Sequence, residues 1–118
     1  MALSLEEKTN LCIKAAIEKQ ASDIVVLDLK GISAVTDSFL ICSGNSTRQV
    51  QAIADAIDET MSKRGKEPGG VEGYSQARWV LMDYEDLIVH IFHKDTRHYY
   101  DIERLWAKAR TTEISVAT

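Results

Sequence analysis

The stretch from Ser38 to Gln49 constrains the fold more than any other part of the sequence, because it predicts a strand that turns directly into a helix. Its first half, Phe39–Cys42, is a short apolar and partly β-branched run, which is typical of a strand buried on both faces. A Gly-Asn turn follows, and Ser46 stands three residues before Gln49, the spacing of a capping box at a helix N-terminus. The sequence therefore predicts a strand, a tight turn and a long helix in immediate succession.

The helix that begins after this turn has one apolar side. Its apolar residues recur at helical spacing and should face a sheet: Val50, Ile53, Ala54, Ile57 and Met61. Lys63 and Arg64 suit the negative end of the helix dipole, and Gly65 is the natural left-handed residue at which such a helix ends.

Four further elements follow from the same kind of pattern. Ser4 and Glu7 form a second capping box, which predicts a helix reaching to about Gln20, and Ile24–Leu29 has the β-branched density of an inner strand. That strand is separated from Phe39–Cys42 by a connection without a helix, so we expect the two to pair antiparallel. Residues 78–83 and Leu87–His93 are expected to form a hairpin.

A last helix is predicted to begin at Asp95 or Thr96, with four residues on one face: Tyr99, Ile102, Trp106 and Ala109. The order of elements predicts an α/β (α+β) domain with a mixed four-stranded sheet packed with helices. We expect a single domain over residues 1–110 and a disordered C-terminal tail over residues 111–118, where no periodicity is visible.

Composition limits the function classes. With 118 residues and 45% hydrophobic content the chain is long enough for one core. The formal net charge of −4 and a pI near 5.3 argue against direct sequence-specific nucleic-acid binding and favour a basic protein partner. The N-terminal residues lack the features of a signal peptide, and no apolar run approaches membrane-spanning length, so the expected location is cytoplasmic. Cys12 and Cys42 are expected to be reduced core thiols rather than a disulfide or a metal pair.

The sequence shows no catalytic constellation, and it predicts no cofactor and no metal. The turn Ser43–Ser46 at a helix start could hold an anion, although helix capping explains it more simply. It is similar to the Gly-Ser turn of the nucleotidyltransferase superfamily, but the acidic pair that should follow on the next strand is absent, and Asp83, Glu85 and Asp86 suit a hairpin tip. His90 and His93 lie on opposite sides of an extended strand and cannot chelate one metal together.

The predicted hairpin is the part of the sequence with an unusual concentration of aromatic and acidic residues. Strand alternation places Trp79, Leu81 and Asp83 on one face and Val80, Met82 and Tyr84 on the other. If helices cover only one face of the sheet, one of these sets is exposed and has the aromatic and acidic character of a protein-binding patch. The alternative is that both sets belong to the core of a sheet covered on both faces.

Four motifs together resemble the Iojap family of ribosomal silencing factors, RsfS, over about Leu5 to Ala109. They are the stretch DSFLICSGNSTRQ, then WVLMDY, HIF and RHYYDIERLW, in this order along the chain. The resemblance implies a nucleotidyltransferase-like fold without the catalytic carboxylates, and a regulatory protein rather than an enzyme. It also implies binding to the large ribosomal subunit through its ribosomal protein number fourteen, which blocks the small subunit from joining and represses translation under nutrient limitation.

On this interpretation the partner surface is the hairpin together with the start of the last helix. We expect the contacts to come from Trp79, Leu81, Asp83, Tyr84, His90, Phe92, Arg97 and Tyr100. Some residues of the last helix could instead serve a homodimer. The alternative function is a nucleotide-binding protein or nucleotidyltransferase-like enzyme that uses Ser43–Ser46 and the Asp83/Glu85 pair.

Overall fold

The computed structural model describes residues 2–115, and these form a mixed sheet with helices on both sides of it. Within this range the elements run in the order α1 (Leu5–Glu18), β1 (Ser22–Asp28), β2 (Ser38–Gly44), α2 (Thr47–Lys63), β3 (Gly70–Glu72), β4 (Trp79–Asp83), β5 (Leu87–His93), α3 (Lys94–Tyr100), α4 (Ile102–Leu105) and β6 (Arg110–Glu113).

The sheet has six strands in the order β3-β4-β5-β2-β1-β6. β2 and β5 pair parallel at its centre, and every other neighbouring pair is antiparallel, including β1 with β2. The predicted mixed sheet and the antiparallel pairing of the first two strands are confirmed, but the sheet has six strands where four were expected. The likeness to nucleotidyltransferases stays a prediction.

The strand, turn and helix unit is confirmed, with one change in its cap. Ser46 Oγ accepts the Gln49 backbone N–H at 3.1 Å, as the capping box requires. The Gln49 side chain, however, reaches one residue further back and accepts the Asn45 N–H at 2.6 Å. Its amide nitrogen then donates to the carbonyls of Lys19 and Gln20. One side chain therefore ties the start of α2 to the end of α1.

α1 and α2 lie together on one face of the sheet. The predicted apolar side of α2 is buried along its whole length, and α2 ends at Lys63 with Gly65 in the left-handed region, at φ 76°. From the sheet, alternate residues of β4 and β5 point into this core, among them Val80, Met82 and Val89. Because both long helices pack here, this face carries the main core.

α3 and α4 cover only part of the opposite face. The predicted single last helix is wrong, because Asp101 adopts a left-handed conformation at φ 46° and separates two short helices. As a result Ile102 and Ala109 pack onto the sheet while Tyr99 is 80% exposed. The part of the sheet near β4 is left without a helix over it.

Two strands were not predicted, and one of them corrects the expected tail. Arg110–Glu113 pairs with β1 as β6, so disorder over residues 111–118 is wrong for Thr111–Glu113, while residues 116–118 lie outside the described residues. β3 is only three residues long and pairs with β4 inside the glycine-rich loop. Both edge strands are exposed throughout, so neither leaves the alternation of apolar and polar residues that identifies a strand in a sequence.

Candidate interaction surface

The sheet face opposite α1 and α2 carries an open group of large apolar side chains, which we call the aromatic face. Phe39 on β2 pairs with Ile88 on β5, so their side chains lie next to each other on this face. Trp79 and Leu81 are two positions apart on β4, the strand on the other side of β5, and therefore point to the same face. All its members are half-buried: Phe39, Trp79, Leu81, Ile88 and Trp106. The condition set by the sequence is met only in part, because α3 and α4 cover some of this face. Near β4 the side chains of Trp79, Leu81 and Asp83 are half-buried on the open side, while Val80, Met82 and Tyr84 are buried on the other.

Ring contacts hold the aromatic face together. The Trp79 indole stacks on Phe92, with 4.8 Å between ring centroids, and lies 5.2 Å from the Tyr100 ring. Phe39 meets the Trp106 ring edge-on at 5.7 Å. Aromatic side chains fixed in this way present large contact areas at a small loss of conformational entropy, which is why they anchor interfaces.

A groove continues this surface beside Trp79. It has a volume of about 930 Å³ and runs between the loop after β3 and helix α3, with Tyr74, Arg78 and Tyr99 among its lining residues. Tyr99, Tyr100 and Leu105 are 80%, 53% and 78% exposed, so the short helices add an apolar ridge next to the groove. Sheet face, groove and ridge are continuous with one another; the face and the ridge are aromatic and apolar, and the groove between them mixes aromatic with polar residues.

Three of the residues predicted to meet a partner are buried. Tyr84 is fully buried in the main core, and burial, followed by the nearby Cys12, Asp58 and Glu67, raises the pKa of its hydroxyl. Phe92 is fully buried and forms the floor beneath Trp79. His90 is 4% exposed, and loss of hydration lowers the pKa of its imidazole to about 4. The expectation that these three side chains are exposed is wrong. Tyr84 lies in the core beneath α1 and α2, while Phe39 packs against His90 and Trp79 stacks on Phe92.

Arg97 is also not free to meet a partner. Its guanidinium pairs with the Glu103 carboxylate at 2.9 Å and donates to the Asp23 carbonyl at 2.6 Å and to Ser43 Oγ at 2.8 Å. It therefore ties α3 and α4 to the ends of β1 and β2. Of the predicted contact residues, Trp79, Leu81, Asp83 and Tyr100 remain at least partly exposed on this side of the molecule.

Four residues of this region were missed in the sequence. Ile88 could have been found, because it shares the alternation of His90 and Phe92 along one strand. The other three needed the tertiary structure, since register or helix breaks place them: Phe39, Leu105 and Trp106. Tyr99, which the sequence offered for this patch or for a homodimer contact, is exposed on the ridge.

The residues behind the nucleotide-binding alternative are engaged in structural contacts. Ser43 Oγ accepts from Arg97, and the amides of Asn45 and Gln49 donate within the cap of α2. At the hairpin tip, Asp83 accepts the Glu85 N–H, and Glu85 pairs with Lys66 at 2.7 Å. These are the contacts of a capped helix and a tight turn.

The described part of the chain does not meet the requirements of a metal site, a reactive thiol or a membrane-spanning helix. Among residues 2–115 no cluster of three or more His, Cys, Asp or Glu side chains is arranged to hold a metal ion. Cys12 and Cys42 are buried free thiols, and burial raises the pKa of each to about 12. Over the same residues no helix combines the length and the apolar character needed to cross a membrane.

Comparison with known proteins gives a consistent result. The family model for "Ribosomal silencing factor during starvation" matches residues 2–118. Ribosomal silencing factor RsfS of Halalkalibacterium halodurans is 48% identical over 95% of this chain and 96% of its own length. The Bacillus subtilis RsfS is 47% identical over 93% and 95%. A crystal structure of a Chromobacterium violaceum protein superposes with a TM-score of 0.87 at 30% identity, covering 98% of this chain and 95% of that one. The chain therefore belongs to the RsfS/Iojap family of ribosomal silencing factors, which are regulators of translation and not enzymes.

Proposed function

We propose that this protein binds the large ribosomal subunit through its ribosomal protein number fourteen and thereby prevents the small subunit from joining. The observation that carries the proposal is the aromatic face, an uncovered part of the sheet that presents Trp79 and Leu81 beside half-buried Phe39 and Ile88. Large exposed apolar regions on soluble domains are typical of protein interfaces. The action would be in the cytoplasm, under nutrient limitation.

The charge of the molecule supports a basic protein as the direct partner. A net charge of −4 would be repelled by ribosomal RNA, so contact with a ribosome needs a protein surface that attracts it. Asp83 lies at the edge of the aromatic face and Glu72 follows on the adjacent edge strand, paired with Leu81. Carboxylates at the rim of an apolar patch are suited to orient a basic partner while the rings supply affinity.

Silencing by this route requires occupancy and no chemical step. A domain with a radius of gyration of 13.1 Å, bound where the two subunits meet, would exclude the small subunit by volume alone. This agrees with a family of regulators that are not enzymes.

The exposed ridge of Tyr99, Tyr100 and Leu105 has two proposed uses. It could extend the contact with the ribosomal protein, or it could pair with a second copy of this chain. Tyr100 touches Trp79, so a ridge used by a homodimer would compete with ribosome binding. Sedimentation of the free protein across a concentration series, with and without Leu105→Glu, distinguishes the two uses.

The test is co-sedimentation with purified large subunits, followed by addition of small subunits. Leu81→Glu places a charge in the centre of the aromatic face, and we expect binding to fall at least about 30-fold, the loss typical of a disrupted interface centre. The protein should also stop inhibiting subunit joining. Asn10→Glu adds the same charge on the exposed side of α1, on the other side of the molecule, and serves as the matched control.

Two results would contradict the proposal. The first is that the unmodified protein fails to sediment with large subunits at both low and physiological salt. The second is that Leu81→Glu and Asn10→Glu bind and inhibit joining equally.

A further inference from the structure

A buried imidazole lies directly beneath the aromatic face. The Trp79 indole Nε1–H donates to His90 Nδ1 at 3.0 Å, across the β4–β5 pairing. Phe39 packs edge-on against the same imidazole at 4.4 Å between ring centroids, and Phe92 lies parallel to it at 6.2 Å. The two phenylalanine rings hold the imidazole, and the hydrogen bond ties the Trp79 indole to it.

The direction of this hydrogen bond determines the protonation state of His90. Since Nδ1 accepts, it carries no proton, and a neutral imidazole then holds its proton on Nε2. Within residues 2–115, Nε2 has no hydrogen-bond partner and is buried. An unpaired buried N–H lowers stability relative to an apolar ring of the same shape. Packing alone would therefore favour a phenylalanine here, and the hydrogen bond to Trp79 is the contact that only the imidazole provides.

We propose that His90 is a positioning residue for partner binding, whose neutral imidazole holds the Trp79 indole in the orientation that the partner contacts. This inference rests on the proposed function, because it assigns His90 a role through Trp79 on the same surface. His90 itself does not touch the partner, since it is 4% exposed.

The surroundings of His90 keep it neutral. The side chains that share its row and its face are uncharged: Trp79 and Leu81 from β4, Phe39 and Ile41 from β2, and Ile88 and Phe92 from β5. The charged groups on the same side are more distant: Asp83 on β4, Glu72 on β3, and the paired Arg97 and Glu103 from α3 and α4. Burial alone accounts for the lowered pKa, so the acceptor is present throughout the neutral range.

The decisive variant is His90→Phe, which keeps an aromatic ring and removes the acceptor. We expect thermal stability equal to or above that of the unmodified protein and binding to large subunits weakened about fivefold, which is the loss of one hydrogen bond. His90→Gln restores an acceptor oxygen and should recover part of the affinity. Val89→Ala, on the opposite face of the same strand, destabilises the core without touching Trp79 and should bind normally.

A spectroscopic measurement reports on the hydrogen bond itself. The chain has two tryptophans, so Trp106→Phe leaves Trp79 as the sole source of an indole N–H signal in a ¹H–¹⁵N spectrum. In this background the signal should exchange slowly with water, and His90→Phe should make it exchange rapidly. On acidification the signal should shift with a midpoint well below 6.5, because protonated Nδ1 cannot accept.

The outcomes separate the two proposals. Weakened binding by a stable His90→Phe, with partial recovery in His90→Gln, supports the inference. Unchanged binding by His90→Phe, or a rapidly exchanging indole N–H when His90 is present, overturns it while leaving the proposed function intact. If the unmodified protein does not bind large subunits, the proposed function fails and the inference fails with it. Should His90→Phe not fold, His90→Leu takes its place as the acceptor-free variant.

Discussion

Among the glycines of this protein, Gly73 is the position where adding a methyl group should lower the free energy of unfolding most. Its φ is +81°, and a Cβ built on it would lie 2.1 Å from the carbonyl oxygen of Trp79. Gly31 has nearly the same backbone conformation, φ +79°, but a Cβ there meets nothing within 4 Å. Alanine variants at Gly31 and Gly73 therefore separate the free-energy cost of the left-handed backbone conformation from the cost of a steric clash with the Trp79 carbonyl.

The magnitudes follow from these two geometries. Gly31→Ala and Gly73→Ala each place an L-residue in the left-handed region, at about 1–2 kcal/mol. At Gly73 the added carbon must also move by about 1 Å or displace the β4 backbone, and overpacking of this kind adds about 1–3 kcal/mol. We expect Gly73→Ala to cost about 2–5 kcal/mol and Gly31→Ala about 1–2 kcal/mol.

Urea denaturation of both variants measures the difference. Because the displaced carbonyl belongs to Trp79, Gly73→Ala should also weaken binding to large subunits under conditions where it remains folded, whereas Gly31→Ala should bind normally. Equal destabilisation of the two variants would refute the reasoning, because it would mean that the loop does not pass close to the β4 backbone.

Three further predictions concern buried polar groups. The buried Lys8 ammonium pairs with Asp86 and donates to the Tyr84 carbonyl at 3.1 Å. Asp86→Asn leaves this ammonium without a counter-charge, so it should lower the free energy of unfolding in urea by about 2–4 kcal/mol. Lys8→Met should cost less, because the Asp86 side chain is 36% exposed although its Oδ1 is buried, whereas the Lys8 side chain is only 6% exposed; a larger cost for Lys8→Met would contradict this. Because burial raises the pKa values of Cys12 and Cys42 to about 12, a thiol reagent at pH 8 should modify neither until the protein unfolds, and rapid modification of the native protein would disprove it. Arg97→Lys keeps the charge but loses the forked geometry, and should lower the free energy of unfolding in urea by about 1.5–3 kcal/mol, the contribution of a hydrogen bond to a charged group. An unchanged free energy of unfolding would contradict this.

The predictions that succeeded depend on local rules. A capping serine, an apolar stripe at helical spacing and a terminal glycine are patterns within one continuous segment of the sequence. Helix α2 begins and ends where they indicate. The hairpin β4–β5 was found because its strands alternate and are joined directly. For the candidate site, the sequence identified Trp79, Leu81, Asp83 and Tyr100, which lie on or beside the aromatic face.

The predictions that failed depend on neighbours that are distant in sequence. His90 and Phe92 alternate as residues of an exposed strand could, but β5 lies between β4 and β2, and Trp79 covers Phe92. Tyr84 is buried on the other face, with Val80 and Met82. Arg97 resembles an exposed basic residue until Asp23, Ser43 and Glu103 are brought around it.

By itself, the sequence determined the two long helices, the four inner strands, the family and two alternative faces of the hairpin. It could not decide which face is open, because strand alternation assigns residues to two sides without saying what covers each side. Only the tertiary structure decided this, by packing α1 and α2 on the Val80 side and ending the last helix early at Asp101. That left-handed residue divides the last helix into two short ones, which cover only part of the other side, so the rings of Trp79, Phe39 and Trp106 stay half-buried.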